Sequence, residues 1–245
     1  MIKKGGNFMK VTALLTGRGN NSLKDKNILD VLGKPVMYYP ATAGKKSEVI
    51  TEWYCSSDDE RILSTGEQIG YRPILRPEEL AQPNSQHIDC IIHALNQMET
   101  YNSIPDILVV ILANNVTIKS KWITDCVKIM EQDMTISAVV PTYEDNDHHP
   151  LRAKKITKDG YLSMYQEETT QHISTNRQDL PKCVFLAHNF WVLNVAKLRD
   201  GEEGQGPWSF MGKRVVPYEI EDSIDIHHEI DLYIAKEWIV KQFKD

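Results

Sequence analysis

Short apolar runs alternate along the chain with longer stretches in which apolar residues recur every third or fourth position. A continuous apolar run of about four to eight residues is typical of a buried strand, and the longer spacing is typical of an amphipathic helix. The pattern predicts strands at residues 11–16, 49–56, 74–76, 107–112, 137–142, 185–193 and 214–219. It predicts helices at residues 35–45, 58–69, 85–101, 120–131 and 229–243.

This alternation predicts βαβ units and therefore an α/β fold with an open, mostly parallel, Rossmann-like sheet. The regularity stops at about residues 143–182, where polar and charged residues dominate. We interpret that stretch as an inserted lid or dimerisation segment within a single domain spanning residues 1–245. In an open parallel sheet, ligands bind beyond the carboxyl ends of the strands, so the loops that follow the strands are the candidate sites.

The loop after the first predicted strand is polar, contains glycines and carries three cations. Gly17 and Gly19 allow a tight turn and a close backbone approach to a ligand. Arg18, Lys24 and Lys26 are suited to neutralise phosphate oxygens. The loop is neither a P-loop, which needs a Gly-Lys-Ser or Gly-Lys-Thr sequence, nor a dinucleotide fingerprint, which needs a third glycine. The loop alone therefore leaves two interpretations open: phosphate binding, or an ordinary connection with a solvated basic rim.

Composition and charge exclude several classes of protein. The net charge is −6, with 41% hydrophobic and 25% charged residues, as in a globular protein with a sizeable core and no general attraction to nucleic acid or anionic membranes. No apolar run is long enough to span a bilayer. The four cysteines are widely spaced and match no zinc or redox motif, so we expect reduced thiols in a cytoplasmic protein.

Four stretches, in this order and spacing, resemble the acylneuraminate cytidylyltransferases, also called CMP-sialic acid synthetases. They are LTGRGN at residues 15–20 with Lys26 and Asn27, LRPEELA at 75–81 with Ser85, HHPL at 148–151, and DSIDI at 222–226. The similarity extends from about residue 10 to about residue 238. It implies a sheet of the nucleotide-diphospho-sugar transferase type. It also implies transfer of CMP from CTP to a nonulosonic acid for a surface glycan, with Mg²⁺ as cofactor, in a homodimer.

The resemblance assigns roles by position in this sequence. The implied nucleotide-binding residues are Gly17, Arg18, Gly19, Asn20, Lys26, Asn27, Arg76 and Ser85. Arg18, Lys26 and Asp225 are the implied catalytic residues; Asp225 is the implied metal ligand, and His227 occupies the position of the family's second ligand. The acidic acceptor would contact Asn114, Asn115, His149, Arg152, Arg177 and Asn189, some of them across the dimer.

Several of these residues have simpler interpretations. Arg76 could instead form a surface ion pair with Glu78 or Glu79, which would contribute little to stability, although its Arg-Pro context and the downstream Ser85 favour nucleotide binding. Asp225 is a candidate N-cap for the last helix, because Asp is a preferred capping residue. His149 lies in a polar stretch and is a candidate for an ordinary exposed side chain.

The chain also departs from the family pattern. Its first loop is one residue shorter and lacks a proline, Ala113 replaces a glutamine, and an arginine expected near residue 186 is absent. His227 stands where the family has a second aspartate, and imidazole is a poor ligand for Mg²⁺. The residues that match the family's nucleotide-binding motifs are thus better preserved than those that match its acceptor-binding motifs. Two alternatives follow: a cytidylyltransferase for a small phosphonate or phosphate, or a non-catalytic nucleotide-binding homologue.

Overall fold

The computed structural model describes residues 3–4, 7–166 and 173–242, with side chains from Met9 onward. The strands are β1 Lys3–Lys4, β2 Asn7–Phe8, β3 Val11–Thr16, β4 Asp30–Val31, β5 Lys34–Pro35, β6 Glu52–Ser57, β7 Arg72–Leu75, β8 Ile107–Leu112, β9 Ala138–Glu144, β10 Lys154–Ile156, β11 Leu162–Met164, β12 Val184–Leu186, β13 Phe190–Asn194 and β14 Val215–Glu219. The α-helices are α1 Tyr38–Lys46, α2 Glu60–Gln68, α3 His87–Thr100, α4 Ser120–Gln132, α5 Val195–Arg199 and α6 Glu229–Gln242. Residues 167–172 of the predicted insertion and Phe243 of the predicted last helix lie outside the described residues.

The central sheet has the strand order β12-β9-β13-β8-β3-β6-β7, and β14 pairs with β9. Neighbours from β8 to β7 are parallel, whereas β13 runs antiparallel to both β8 and β9. This confirms the predicted open, mostly parallel α/β sheet. Every residue of β3 is buried, because helices cover both faces of a parallel sheet, and this explains its continuous apolar run.

The two faces of the sheet have separate cores. Alternate side chains of a strand point to opposite faces, so Ala13 and Leu15 pack in the cluster that includes α4, while Leu14 packs with α3. A third cluster joins α6 to β4, the residue after β5 and the loop after β8 through Val31, Val36, Val116, Ile226, Ala235 and Ile239. This third cluster fixes the segment around residue 225 next to the carboxyl end of β8.

The predicted strand at residues 185–193 is in fact two strands. The regular strand pairing is interrupted at residues 187–189, between β12 and β13, and His188 adopts a left-handed conformation with φ 39°. The carbonyl groups of Ala187 and His188 instead accept hydrogen bonds from the side chain of Asn115. The split therefore arises from a partner more than seventy residues away, which local sequence periodicity does not encode.

The insertion contains an antiparallel hairpin formed by β10 and β11. Its apolar side chains are exposed: Ile156 by 76%, Tyr161 by 73% and Leu162 by 73%. Exposed apolar residues that lie together are a mark of an interaction surface. Within the described part of the chain, no helix is both long enough and apolar enough to cross a membrane.

Candidate active site

A cavity of about 310 Å³ opens at the carboxyl ends of the parallel strands. Its walls come from the loop after β3, the segment between β7 and α3, and the loop after β8. The lining residues are Thr16, Gly17, Arg18, Asn21, Lys26, Asn27, Arg76, Leu80, Gln82, Pro83, Ser85, Gln86, His87, Cys90, Leu112 and Asn114. The structure thus brings most of the predicted nucleotide-binding residues together in one place.

The loop after β3 is held closely against the sheet. The N–H of Gly17 donates to the carbonyl of Ser56 at 3.2 Å, and a Cβ at Gly17 would lie 3.1 Å from both Ala113 Cβ and Asn27 Nδ2. The buried Asn27 amide donates to the carbonyl of Arg18 at 3.0 Å. The backbone at residues 17–18 is therefore tied on both sides, and Asn27 acts here as a brace for the loop.

The next two loop residues face a different neighbourhood. The N–H of Gly19 donates to Asp58 Oδ1 at 3.0 Å, and a Cβ at Gly19 would lie 2.9 Å from Asp59. Asn20 lines a shallow depression beside these carboxylates and does not line the cavity. Gly19 and Asn20 thus lie at the outer edge of the candidate site.

Two cations of the loop face the cavity. The Arg18 guanidinium donates to the carbonyl of Gln82 at 2.8 Å and bridges two walls. Burial lowers the pKa of Lys26, and the Arg18 charge lowers it further, while Asp225 and Asp231 oppose the shift. Lys24 is exposed and lies outside the cavity lining. The cavity therefore presents concentrated positive charge suited to a polyanion.

Arg76 is buried, with 6% of its surface exposed. Its Nε donates to Ser56 Oγ at 3.3 Å and its Nη2 donates to Ser56 O at 2.9 Å. The guanidinium is bonded to this strand end, and not to Glu78 or Glu79 as the ion-pair interpretation required. A buried guanidinium with remaining N–H donors at a cavity wall is suited to bind a ligand.

Ser85 lines the same wall, but its hydroxyl is already engaged. It donates to the carbonyl of Glu79 at 2.9 Å and accepts from the N–H of Gln82, also at 2.9 Å. These bonds fix the turn that carries Gln82 to its contact with Arg18. Ser85 therefore shapes the wall of the cavity.

Asp225 approaches the cavity from the segment before α6. Its carboxylate accepts a hydrogen bond from the Asn114 amide and lies 2.9 Å from His227 Nε2. Burial raises the pKa of Asp225, although His227 and Lys26 partly offset this shift. Asp231 accepts the backbone N–H groups of His227 and His228, both at 2.8 Å. Asp231, and not Asp225, thus caps the start of α6.

The described side chains around Asp225 could supply only some of the ligands of a metal ion, so a bound substrate and water would have to supply the others. Among the described residues, no group of three or more His, Cys, Asp or Glu side chains is arranged to hold a metal. Mg²⁺ usually binds one or two carboxylates together with waters and substrate phosphates. The carboxylate of Asp225 is half-buried, its neighbours compensate its charge only in part, and it lies near the cationic cavity. Asp225 is therefore suited to be one ligand of a Mg²⁺ ion whose remaining ligands would come from a nucleotide and water.

The predicted acceptor residues fall into three groups. Asn114 lines the cavity, whereas Asn115 and Asn189 are fully buried. Asn115 Nδ2 also bonds Ser223 Oγ at 2.9 Å, and Asn189 Nδ2 donates to Thr117 O at 2.9 Å. Asn115 and Asn189 hold neighbouring loops together and are not available to an acceptor in this chain's cavity.

The other three predicted acceptor residues lie in the insertion, away from this cavity. His149 is buried, not exposed, with Nε2 3.1 Å from the carbonyl of Pro181. Arg177 forms an ion pair with Asp147 at 2.9 Å, and Arg152 is exposed. A contact of Arg152 and Arg177 with a neighbouring subunit's site stays a prediction.

Sequence reasoning missed two histidines that the structure places at or beside the cavity. His87 lines it, lies 3.1 Å from Thr16 Oγ1 and has its pKa lowered to about 4, chiefly by burial. The ring of His188 lies 4.9 Å from that of Trp208, and burial lowers its pKa. His87 could have been found from its position near the start of the predicted helix at residues 85–101, in the segment that follows a predicted strand.

Strands, helices and cavity together define a Rossmann-like α/β fold with a cationic cavity at the carboxyl ends of its parallel strands. The cytidylyltransferase family profile matches residues 18–241, and the chain belongs to this family. The match confirms the family resemblance, and the low identities of the relatives make this chain a divergent member.

Two relatives illustrate the divergence. An N-acylneuraminate cytidylyltransferase from Escherichia coli is 33% identical over 95 residues, which are 38% of this chain and 23% of that protein. The match therefore spans under a quarter of that relative's length. A pseudaminic acid cytidylyltransferase from Campylobacter jejuni is 23% identical over 185 residues, covering 75% of this chain and 78% of that protein.

Solved structures show the same fold at still lower identity. A CMP:2-keto-3-deoxy-manno-octonic acid synthetase complexed with CTP aligns with a TM-score of 0.69 and 12% identity, covering 95% of this chain and 99% of that one. A 4-diphosphocytidyl-2C-methyl-D-erythritol synthase from Anaerococcus prevotii aligns with a TM-score of 0.64 and 11% identity, covering 95% and 99%. Both confirm the predicted sheet type.

Proposed function

We propose that this protein transfers CMP from CTP to a nonulosonic or related sugar acid and releases pyrophosphate. The observation that carries the proposal is the convergence of Arg18, Lys26, Arg76 and the Asn114–Asp225 pair at the carboxyl ends of the parallel strands. Family membership, and relatives named for N-acylneuraminate and pseudaminic acid, support this choice of acceptor.

The chemistry matches the charges in the cavity. The acceptor hydroxyl loses its proton to water as its oxygen attacks the α-phosphorus of CTP and forms the new P–O bond. The bond from the α-phosphorus to the α–β bridging oxygen breaks, and pyrophosphate leaves. Such a step concentrates negative charge, so positioning and charge stabilisation are the main contributions a protein makes. Arg18 would hold the phosphates through its guanidinium, and Lys26 would neutralise the departing pyrophosphate.

The same proposal includes Mg²⁺ held by Asp225 with phosphate oxygens and water. The ion would supply charge neutralisation at the phosphates. Asn114 orients the carboxylate of Asp225 through its amide, and His227 contacts the other oxygen. In this arrangement His227 positions Asp225 and is not itself a ligand of Mg²⁺, which prefers oxygen donors.

We also propose a cytoplasmic homodimer in which the insertion makes the subunit contact. The support is the exposed apolar side of the β10–β11 hairpin. Arg152 and Arg177 lie in the same insertion and away from their own cavity. A dimer would bring such residues to a neighbouring site, where their charge suits an acidic acceptor.

The decisive experiment measures pyrophosphate release from CTP and Mg²⁺ with a panel of nonulosonic acids and related sugar acids. The panel includes small phosphonates and phosphates, because Ala113 replaces the family's glutamine. Turnover with a sugar acid supports the proposal, and turnover with a phosphonate alone favours the alternative acceptor. CTP binding without turnover on any acceptor would identify a non-catalytic homologue, and absence of CTP binding would contradict the whole proposal.

A further inference from the structure

His87 has a fixed position in the cavity that the phosphate chemistry does not use. It is the first residue of α3 and lines the cavity together with Arg76. Its ring packs against the buried ring of Trp191, with centroids 4.9 Å apart and planes at 60°. A buried aromatic neighbour therefore holds the imidazole in one orientation at the cavity wall.

The hydrogen bonds of Thr16 favour one tautomer of His87. Thr16 Oγ1 lies 3.1 Å from His87 Nε2 and 3.4 Å from the carbonyl oxygen of Ile111. A hydroxyl has one proton, and a carbonyl oxygen only accepts. This pattern favours donation from Thr16 to Ile111, with the Thr16 oxygen accepting from the Nε2–H of His87. In that tautomer the lone pair of Nδ1 is a hydrogen-bond acceptor.

The surroundings keep this imidazole neutral. Burial, the positive charge of Arg76 and the neighbouring His188, in that order of size, together lower the pKa of His87 to about 4. A neutral imidazole has one donor and one acceptor nitrogen, whereas the charged form has two donors. At neutral pH, His87 thus presents an acceptor beside the donors of Arg76.

Arg76 supplies the complementary donors. Its Nε and Nη2 are bonded to Ser56, at 3.3 Å and 2.9 Å. Within the part of the chain that the structure describes, its Nη1 has no hydrogen-bond partner. The cavity wall therefore offers one acceptor, from His87, and a fixed donor group, from Arg76.

We propose that His87 selects the nucleotide base: Nδ1 accepts a hydrogen bond from the exocyclic amine of cytosine while Arg76 donates to the ring acceptors. Uracil carries a carbonyl oxygen where cytosine has its amine, so UTP would place two acceptors against each other. A site built to bond a polar group strongly rejects an analogue that leaves the site unpaired. This inference rests on the proposed function and adds the residue that distinguishes CTP from UTP.

The test measures dissociation constants of CTP and UTP by isothermal titration calorimetry, without acceptor. The wild type is expected to prefer CTP. His87→Met and His87→Phe remove the acceptor nitrogen and should reduce the CTP-over-UTP preference by about 10- to 100-fold, as for one lost base contact. His87→Gln, close to Met in length, keeps an acceptor oxygen and should retain most of the preference. His93→Phe, the same change elsewhere on α3, should leave it unchanged.

Two kinds of outcome would overturn the inference. One is an unchanged CTP-over-UTP preference in His87→Met or His87→Phe, with either variant shown to be folded by circular dichroism. The other is a wild type that binds CTP and UTP equally. Since each of these still leaves CTP bound, the proposed function survives them. A wild type that binds neither nucleotide instead defeats the proposed function, and the base-selection inference with it.

Discussion

Lys26 shows how single residues in the cavity balance charge against burial. Burial and the nearby Arg18 lower the pKa of Lys26, and the carboxylates of Asp225 and Asp231 raise it. The negative charge of a bound polyphosphate would also raise the pKa of Lys26. The residue is therefore poorly compensated in the free protein and best compensated when an anion is bound, as expected of a ligand-binding cation.

Lys26→Ala should lower the rate of pyrophosphate release by about 100- to 1,000-fold, because removing one preorganised donor from developing charge has that effect. The free energy of unfolding should not fall, because the variant removes an ammonium group whose burial is unfavourable in the free protein. Lys24→Ala is the matched control: the same loop loses an exposed cation outside the cavity, and activity should change little. Rates come from a coupled pyrophosphate assay at saturating CTP. Equal losses in the two variants would contradict the placement of Lys26.

At the scale of elements, the start of α6 sets the position of Asp225. The carboxylate of Asp231, in the first turn of α6, accepts hydrogen bonds from the N–H groups of His227 and His228. These bonds fix the turn that precedes the helix. Partial burial raises the pKa of Asp231, but the two N–H groups and the adjacent histidines outweigh it, and its pKa lies below the ordinary value. A capping carboxylate of this kind stabilises the protein only while ionised.

Asp231→Ala should reduce the free energy of unfolding by about 1 kcal/mol at neutral pH, as for a lost cap. Because the folded pKa is depressed, this contribution is present above the unfolded pKa, about 3.9, and is lost as the pH falls through the folded value. Wild type and variant should therefore converge in acid. Urea unfolding at several pH values measures the difference. Glu237→Ala, an exposed carboxylate on the same helix, should show no comparable loss; a pH-independent loss in Asp231→Ala would contradict the capping role.

The elements that sequence predicts well are those fixed by local pattern. β3 and β8 begin and end at the predicted residues, because each is a continuous apolar run covered on both faces. The break at residues 187–189 depends on the distant Asn115, and the short α5 lay inside no periodic stretch. Prediction was weakest where distant hydrogen bonds outweigh local preference.

The site follows the same division. The family motifs located Arg18, Lys26 and Arg76, and the structure gathers them in one cavity. The sequence did not reveal that both side-chain polar atoms of Asn115 are bonded internally. Nor did it reveal His87, whose role depends on contacts with Thr16 and Trp191 that only folding creates.

At the scale of the whole molecule, the exposed apolar side chains of the β10–β11 hairpin lead us to predict a dimer. Leu162→Glu should convert a dimer into a monomer, because it places a charge in an apolar contact of roughly 800 Å² per partner. Leu75→Glu is the control: Leu75 is 66% exposed on β7, at the opposite edge of the sheet, and should leave the dimer intact. Sedimentation velocity distinguishes the species. A wild type that sediments as a monomer at micromolar concentration would refute the subunit contact.

Nucleotide binding should also stabilise the entire fold, since the cavity joins loops from several strands. A ligand at 100 times its dissociation constant adds about 2.7 kcal/mol, which for a chain of this size corresponds to a rise of about 5–10 °C in Tm. CTP with Mg²⁺ should produce this rise in a thermal-unfolding scan. ATP at the same concentration is the control, and an equal rise with ATP would argue for unselective phosphate binding.

Asn115 has a consequence for any attempt to change the acceptor. One side chain ties the loop after β8 to the carbonyls of Ala187 and His188 and to Ser223, just before Asp225. Exchanging a single one of these loops with a relative would break the shared bonds and leave buried polar atoms unpaired. The three loops are therefore best regarded as one exchangeable cassette, and chimeric enzymes that transplant all three together should fold where single-loop chimeras fail.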